Sequence, residues 1–336
     1  MPPLIKRNIP TIIFVILVYV WFLLFQAKPQ TTNLNVLGAN TNTLLFVQPG
    51  AGREPILNAV NNAHSEILVE MYLLSDRKII DSLDQARERG VKVAVMLEQH
   101  PFGAGGGNLN TRSKNMLIKN GVAVKWTNPK FALTHEKTLV IDNKEALILG
   151  QNLTTSSFSK NREYDVLDTN PQDVTEARNI FIADWKNKSF TPPSTHLIIS
   201  PDNSRPAITS LIENARNSLD IETEDIDDPQ IVMILSSKCR QIKVRFIVPT
   251  FSQIKSNKNA VMKLIKGGCL VKSLTSPYIH AKLILADDTK AYIGSVNLST
   301  QSLDENREVG IMLTQNDILS ALSSTFEKDW ENGSAL

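Results

Sequence analysis

The sequence predicts an α/β protein built from two copies of one fold. We expect two pseudo-symmetric lobes with largely parallel mixed sheets flanked by helices, preceded by one N-terminal transmembrane helix. Three observations carry this prediction. Strand-like apolar runs alternate with amphipathic helix-like segments, the second half repeats the first at a nearly constant offset, and residues 9–25 form an uncharged apolar run. A repeat of this length is too long for a solenoid and is typical of two fused half-domains.

The apolar run at 9–25 is at the short end of what spans a bilayer. Lys6 and Arg7 precede it and only Lys28 follows closely, so we expect a cytoplasmic N-terminus and an extracytoplasmic domain. Its exit lacks the small residues that a signal-peptide cleavage site needs. The sequence therefore predicts an uncleaved single-pass anchor, with a cleaved signal peptide or a buried core helix as the alternatives.

The rest of the chain divides into two repeats. In the first, strands are predicted at 44–47, 66–73 and 91–97, alternating with helices at 55–64, 76–89 and 111–120. Matched segments recur in the second, with Phe181-x-x-Asp184-Trp185 answering Phe326-x-x-Asp329-Trp330. The predicted divisions are the anchor at 1–28, a polar tether at 29–43, the first repeat at 44–187, a linker at 188–194, the second repeat at 195–331 and a tail at 332–336.

Composition excludes some classes of protein. The hydrophobic content of 42% and charged content of 21% are those of a globular chain. Beyond residue 28, 33 basic residues face 34 acidic ones, so there is no bulk basic excess of the kind typical of proteins that bind duplex nucleic acid. Two cysteines, Cys239 and Cys269, are too few for a disulfide framework or a four-thiolate zinc site. We expect buried free thiols, with a single bridge as the alternative.

Two short stretches carry residues that occur in both halves. The first reads HEKTLVID and the second HAKLILAD, each followed by an Asn and a Glu at matched distances. Five pairs, each separated by 145 residues, are His135 and His280, Lys137 and Lys282, Asp142 and Asp287, Asn152 and Asn297, and Glu163 and Glu308. Identical spacing in two copies excludes chance. Because alternate residues of a strand share a face, the His and Lys of each copy should point the same way.

This pattern resembles the signature of the phospholipase D superfamily, His-x-Lys-x4-Asp-x6-Gly-Ser-x-Asn. The second copy matches it in full through Gly294, Ser295 and Asn297, whereas the first has Leu149 and Gly150 where Gly and Ser are expected. The resemblance covers both repeats and extends to membrane-anchored proteins that are similar to cardiolipin synthase. It implies a duplicated phospholipase D-like fold, one site shared by the repeats, a covalent phosphohistidine intermediate and no metal or other cofactor.

The residue types suit phosphodiester chemistry on their own. One histidine can attack phosphorus while the other protonates the leaving oxygen, and Lys137 and Lys282 can neutralise non-bridging phosphate oxygens, to which Asn152 and Asn297 can donate. Supporting roles are predicted for the remaining matched residues: Glu163 and Glu308 as histidine partners that fix a tautomer, Asp142 and Asp287 as structural carboxylates, and Ser295 as a hydroxyl near the phosphate.

The resemblance favours His135 as the nucleophile and His280 as the acid and then the base, with the reverse assignment open because the motif is symmetric. The predicted substrate is a phospholipid at the membrane, its head group hydrolysed or its phosphatidyl unit transferred, with hydrolysis expected. The alternatives are a metal-independent nuclease and a catalytically dead binding domain. Neither the head group nor the oligomeric state can be read from the sequence.

Overall fold

The computed structural model describes residues 42–102, 106–193 and 196–336. The predicted anchor at 9–25, and all but the last two residues of the predicted tether, lie outside them. Within the described part of the chain, no helix combines the length and the apolar character needed to cross a bilayer.

The first repeat contains seven strands and five helices. Its strands are β1 (Thr43–Gln48), β2 (Glu66–Met71), β3 (Lys92–Leu97), β4 (Ala123–Trp126), β5 (Lys137–Ile141), β6 (Glu145–Leu149) and β7 (Asn161–Asp168). Its helices are α1 (Glu54–Asn61), α2 (Arg77–Glu88), α3 (Gly106–Lys119), α4 (Thr155–Ser159) and α5 (Pro171–Trp185). The strands form one sheet in the order β1-β7-β6-β5-β2-β3-β4.

The second repeat has the same topology. Its strands are β8 (Leu197–Ser200), β9 (Ser218–Thr223), β10 (Lys243–Val248), β11 (Leu270–Ser273), β12 (Tyr278–Ile279), β13 (Lys282–Ala286), β14 (Lys290–Gly294), β15 (Glu308–Leu313) and β16 (Ser334–Ala335). Its helices are α6 (Ser204–Asn214), α7 (Pro229–Lys238), α8 (Asn257–Lys266), α9 (Thr300–Asp304) and α10 (Asn316–Asn332). The order β8-β15-β14-β13-β9-β10-β11 reproduces that of the first sheet, with β16 added at the edge. The predicted duplicated α/β fold with mixed sheets is confirmed.

The prediction of largely parallel sheets is wrong. Only β2–β3–β4 and β9–β10–β11 are parallel, and the other ladders of both seven-strand orders are antiparallel. The reason is local. Short turns at 142–144 and 287–289, rather than crossover helices, connect β5 to β6 and β13 to β14, and connections this short can join antiparallel strands only. The turn residues Asp142, Asn143, Asp287 and Asp288 all have φ between 51° and 54°, which is the left-handed conformation that such hairpins require.

The repeats share a core. One cluster of buried apolar residues combines both sheets with α5 and α10, including Val140 and Phe181 from the first repeat and Leu283 and Phe326 from the second. Each repeat also has its own cluster on the outer face of its sheet. The strands are therefore apolar on both faces, which explains why β5 and β13 are buried along their whole length.

The expectation of free thiols is also wrong. Cys239, at the C-terminal end of α7, forms a disulfide with Cys269, which precedes β11. Their Cα atoms are 4.9 Å apart although the residues are 30 positions apart in the sequence. The chain returns through β10 and α8 so that the end of α7 lies beside the residue that precedes β11. Composition alone does not reveal this contact.

Candidate active site

The two histidines meet because each repeat adds a strand-like segment to the other. The backbone N–H of His135 donates to the carbonyl of Arg307 at 2.8 Å, and the N–H of Arg307 donates to Leu133 at 2.9 Å. In the second crossing, β12 pairs with β7, and the N–H of His280 donates to the carbonyl of Arg162 at 3.3 Å. Each histidine therefore lies beside the Asn-Arg-Glu triplet of the opposite repeat.

This crossing determines the partners of the imidazole rings. Nδ1 of His135 lies 2.8 Å from Oε2 of Glu308, and Nδ1 of His280 lies 2.7 Å from Oε2 of Glu163. Both glutamates are fully buried. Their other oxygens accept from the asparagine two residues earlier, Asn306 at 3.0 Å and Asn161 at 2.9 Å. Each carboxylate is thus fixed in orientation and directs the Nε2 atom of its histidine outwards.

Two further cross-repeat ion pairs hold these triplets. Arg307 binds Asp184 through Nε at 2.7 Å, and Arg162 binds Asp329 through Nε and Nη2. The aspartates belong to the matched Asp-Trp segments at the ends of α5 and α10. The repeated Arg and Asp residues, for which the sequence indicates no catalytic role, therefore hold the two repeats together beneath the histidines.

The lysines of the motif are the first residues of β5 and β13, two residues after the histidines, which precede these strands. Nζ of Lys137 donates to the carbonyl of His135 at 2.5 Å, and Nζ of Lys282 donates to that of His280 at 2.6 Å. Both side chains are almost completely buried. Burial lowers the pKa of Lys137 to about 7, and the positive charge of Lys282 acts in the same direction.

A cavity of about 580 Å³ opens over the two histidines. Its wall includes His135, His280, Asn152, Asn297, Glu224 and Asp225. Oδ1 of each asparagine is buried without a hydrogen-bond partner, and both side chains line the cavity, where their amide NH2 groups can donate to a ligand. Among the described residues that line the cavity there is no Lys or Arg, so positive charge for a phosphate comes from the lysines at its base.

The electrostatics of His135 differ from those of an exposed histidine. Burial lowers its pKa to about 4, and Lys137 and Lys282 add to this effect, which Glu308 opposes. Burial alone would raise the pKa of Glu308, but the contact with His135 more than compensates and lowers it. At neutral pH His135 is therefore an uncharged imidazole with a free Nε2.

The predicted supporting residues lie in different places. The carboxylate of Asp142 accepts from the backbone N–H groups of His64, Ser65 and Glu66, and that of Asp287 accepts from Arg216, Asn217 and Ser218. These bonds lower the pKa of both aspartates. Each carboxylate thus connects its hairpin turn to the turn that precedes the neighbouring strand. Both lie at the end of the strands opposite to the histidines.

The structure corrects the predicted placement of Ser295. Its hydroxyl donates to the carbonyl of Val309 at 3.2 Å and accepts from the Val309 N–H at 3.1 Å. The side chain is completely buried and does not line the cavity. At the matched position, Gly150 donates its N–H to the carboxylate of Asp165 instead. The backbone N–H of Gly150 donates to Tyr164 as that of Ser295 donates to Val309, so the departure of the first repeat from the motif changes only a side-chain contact, and no hydroxyl is lost from the cavity.

Sequence reasoning missed two residues that flank the histidines. Tyr72 follows β2, and its ring lies edge-on to His135 with 4.7 Å between centroids. Glu224 follows β9, and its Oε2 lies 3.3 Å from Nε2 of His280 and 2.9 Å from Nζ of Lys282. The two occupy the same position in their repeats. Residues 62–70 of the first repeat match residues 214–222 of the second, and extending that match by two residues pairs Tyr72 with Glu224.

The chain is also similar to known proteins. A family model described as "Cardiolipin synthase, PLD-like domain" matches residues 56–185 and 208–330. Cardiolipin synthase 1 of Bacillus cereus is 21% identical over 348 residues, an alignment that covers 88% of this chain and 68% of that protein.

Two solved structures share the architecture. Phosphatidylserine synthase of Haemophilus influenzae superposes with a TM-score of 0.65 at 14% identity, over 90% of each chain. Polyphosphate kinase of Porphyromonas gingivalis gives 0.66 at 17% identity, over 86% of this chain and 50% of that one. At such identities these structures show the common fold alone.

Proposed function

The chain belongs to the cardiolipin synthase-like branch of the phospholipase D superfamily and is a phosphodiesterase or phosphatidyltransferase, and we propose that it acts on phospholipids through a phosphohistidine formed on His135. The observation that carries this proposal is the crossed pairing of His135 with Glu308 and of His280 with Glu163 over one cavity. Neither repeat holds a complete site by itself.

The chemistry follows from the protonation states that the geometry favours. Nε2 of His135 attacks phosphorus while Nε2 of His280 gives a proton to the leaving alcohol. In the second step, neutral His280 takes a proton from water or from an acceptor alcohol, whose oxygen displaces His135. Lys137 and Lys282, with the amides of Asn152 and Asn297, bind the non-bridging oxygens, where negative charge develops in the transition state.

Two features of the cavity favour a lipid over nucleic acid. The lining carries Glu224 and Asp225 and, in the described part of the chain, no Lys or Arg, so phosphates flanking the reacting one would meet negative charge. Phe102 and Ile254 also line the cavity, one from each repeat, and the Phe102 side chain is 73% exposed. An exposed aromatic side chain at the mouth suits contact with acyl chains.

For the location we propose a single-pass membrane protein with its catalytic domain on the extracytoplasmic side. The apolar run at 9–25 preceded by Lys6 and Arg7 supports this orientation. The Cys239–Cys269 disulfide supports it independently, because disulfides persist in oxidising compartments outside the cytoplasm.

The test uses the full chain in detergent, in the presence of EDTA. Mixed phospholipid micelles and single-stranded DNA are offered in parallel, and lipid products are separated with and without added glycerol. We expect head-group release or exchange from lipid and intact DNA. Cleavage of DNA alone would overturn the lipid assignment. His135→Ala and His280→Ala should each abolish turnover, and one variant with nearly full activity would mean two independent sites.

A further inference from the structure

The two histidines are equivalent in the motif but not in their surroundings. Each has one buried glutamate on Nδ1 and one lysine two residues later, whose Nζ donates to the backbone carbonyl of that histidine. The residue that faces the cavity side of the ring differs, being Tyr72 beside His135 and Glu224 beside His280. This difference between matched positions breaks the chemical symmetry of the two histidines.

The contacts of Glu224 fix its carboxylate over His280. Oε2 lies between Nε2 of His280, at 3.3 Å, and Nζ of Lys282, at 2.9 Å. Oε1 accepts from the hydroxyl of Tyr278 at 2.9 Å. Burial would raise the pKa of this carboxyl, but His280 and Lys282 outweigh it and lower the pKa to about 2. The group is therefore a carboxylate throughout the neutral range.

Tyr72 cannot play the equivalent part beside His135. Its hydroxyl accepts from the N–H of Phe102 at 2.6 Å, and its ring, not its oxygen, faces both His135 and Lys137. Burial raises its pKa to about 12, so the phenol stays neutral. Within the described residues, no carboxylate lies at ion-pair distance from Nε2 of His135.

We propose that Glu224 is the positioning residue that makes His280 the proton donor and leaves His135 as the nucleophile. The inference rests on the proposed function and adds the reason why one histidine attacks phosphorus and the other donates the proton. His280 lies between two carboxylates, Glu163 on Nδ1 and Glu224 at Nε2, and Nζ of Lys282 lies 3.3 Å from Nδ1. A carboxylate at each ring nitrogen stabilises the doubly protonated ring, because a neutral imidazole has one N–H only.

The proton and electron balance follows from this arrangement. The lone pair on Nε2 of His135 forms the N–P bond, the bond from phosphorus to the leaving oxygen breaks, and that oxygen takes the Nε2 proton of His280. When substrate is bound, the leaving oxygen takes the place of the Glu224 carboxylate beside Nε2 of His280. Glu224 keeps its ion pair with Lys282. In the second step His280 regains a proton from the attacking water or alcohol, and the N–P electron pair returns to His135.

The experiment varies the leaving group in the full-length enzyme. Phosphatidylglycerol releases an alcohol that must be protonated, whereas bis(4-nitrophenyl) phosphate releases a phenolate that leaves without a proton. For Glu224→Gln we expect the single-turnover rate on phosphatidylglycerol to fall about 10- to 100-fold, the lower part of the range for general acid catalysis. The nitrophenolate burst should stay within about twofold of wild type, and Glu224→Asp should regain part of the lost rate.

Controls separate this role from a structural one. Glu213→Gln, which removes an exposed carboxylate on α6, should change neither rate. Equal losses on both substrates, or no loss on phosphatidylglycerol, would overturn the inference. So would alkali-denatured protein that carries the phosphoryl group of the substrate on His280 in mass spectra rather than on His135. If the wild-type enzyme turned over no phospholipid, the proposed function itself would fail, which is a different result.

Discussion

Oε2 of Glu163 lies 2.7 Å from Nδ1 of His280, although the two residues belong to different repeats and are 117 positions apart in sequence. Together with the reciprocal pair of Glu308 and His135, this contact gives each histidine a carboxylate partner from the opposite repeat, so the proposed reaction requires both repeats. The fold brings each histidine onto its carboxylate only when both repeats are packed together.

The first prediction concerns these pairs. Glu163→Gln and Glu308→Gln should each lower kcat by about 10²- to 10⁴-fold, because an amide no longer fixes the tautomer of the ring or stabilises its charged form. KM should change much less, since neither side chain lines the cavity. Steady-state kinetics on phospholipid micelles measure both constants. Glu305→Gln, an exposed neighbour of the second triplet, is the matched control, and a loss confined to KM would contradict the assigned role.

The second prediction is a pH profile. His135 acts as a nucleophile only when neutral, and its pKa of about 4 places the acid limb of kcat/KM near pH 4. Lys137 binds phosphate only when charged, and its pKa of about 7 makes kcat/KM fall as the pH rises above 7. The profile is measured at constant ionic strength from pH 3.5 to 9. A rise in kcat/KM from pH 7 to 9 would contradict the role of Lys137.

The repeated residues made much of this site predictable from the sequence. Identical spacing identified His135, His280, both lysines and both asparagines, because a repeated backbone places repeated side chains in equivalent positions. The spacing could not tell which glutamate serves which histidine, since pairing within a repeat and pairing between repeats imply the same sequence. The crossing of β12 onto β7 decides that question, and it is a tertiary contact.

Other features were unpredictable for different physical reasons. Tyr72 and Glu224 share a position but not a residue type, so a search for repeated residues passes over the pair that distinguishes the histidines. The antiparallel pairing of β5 with β6 and of β13 with β14 follows from the left-handed turns at Asp142 and Asp287, whose aspartates appear in the sequence only as members of a motif. The composition of the largely apolar strands does not indicate whether neighbouring strands run parallel or antiparallel, since strands buried on both faces have the same composition in either orientation.

A third prediction concerns a buried cluster of carboxylates beneath the site. Ligand atoms of Glu70, Glu136 and Asp184 all lie within 4.8 Å of one another. Of these three carboxylates, only that of Asp184 forms an ion pair with Arg307. Neither carboxylate oxygen of Glu70 has a hydrogen-bond partner. Burial and the neighbouring acids raise the pKa of Glu70 and of Glu136 above the usual range. The folded protein therefore holds protons that the unfolded chain releases.

The consequence is a loss of stability with rising pH. For a carboxyl group with a raised folded-state pKa, the free energy of unfolding decreases as the pH rises above the unfolded value, about 4.3 for Glu. Glu70→Gln should therefore increase the free energy of unfolding by about 1.4 kcal/mol for each pH unit between the unfolded and folded pKa values, because the amide has no proton to lose on unfolding, and so by more at pH 8 than at pH 5. Urea titrations at the two pH values measure this difference. Glu88→Gln, on the exposed face of α2, is the control, and an equal gain at both pH values would contradict the argument.

The last prediction concerns the disulfide. The Cys239–Cys269 bond closes a loop of about 30 residues, for which restriction of the unfolded chain contributes about 3–4 kcal/mol. Reduction should therefore lower Tm by about 5–10 °C, whereas a double variant with Cys239→Ser and Cys269→Ser should melt at that lower temperature with or without reductant. Scanning calorimetry with and without dithiothreitol measures the shift. Thiol titration of the denatured, unreduced protein should find no free thiol, and two titratable thiols would contradict the bond and remove its support for an extracytoplasmic domain.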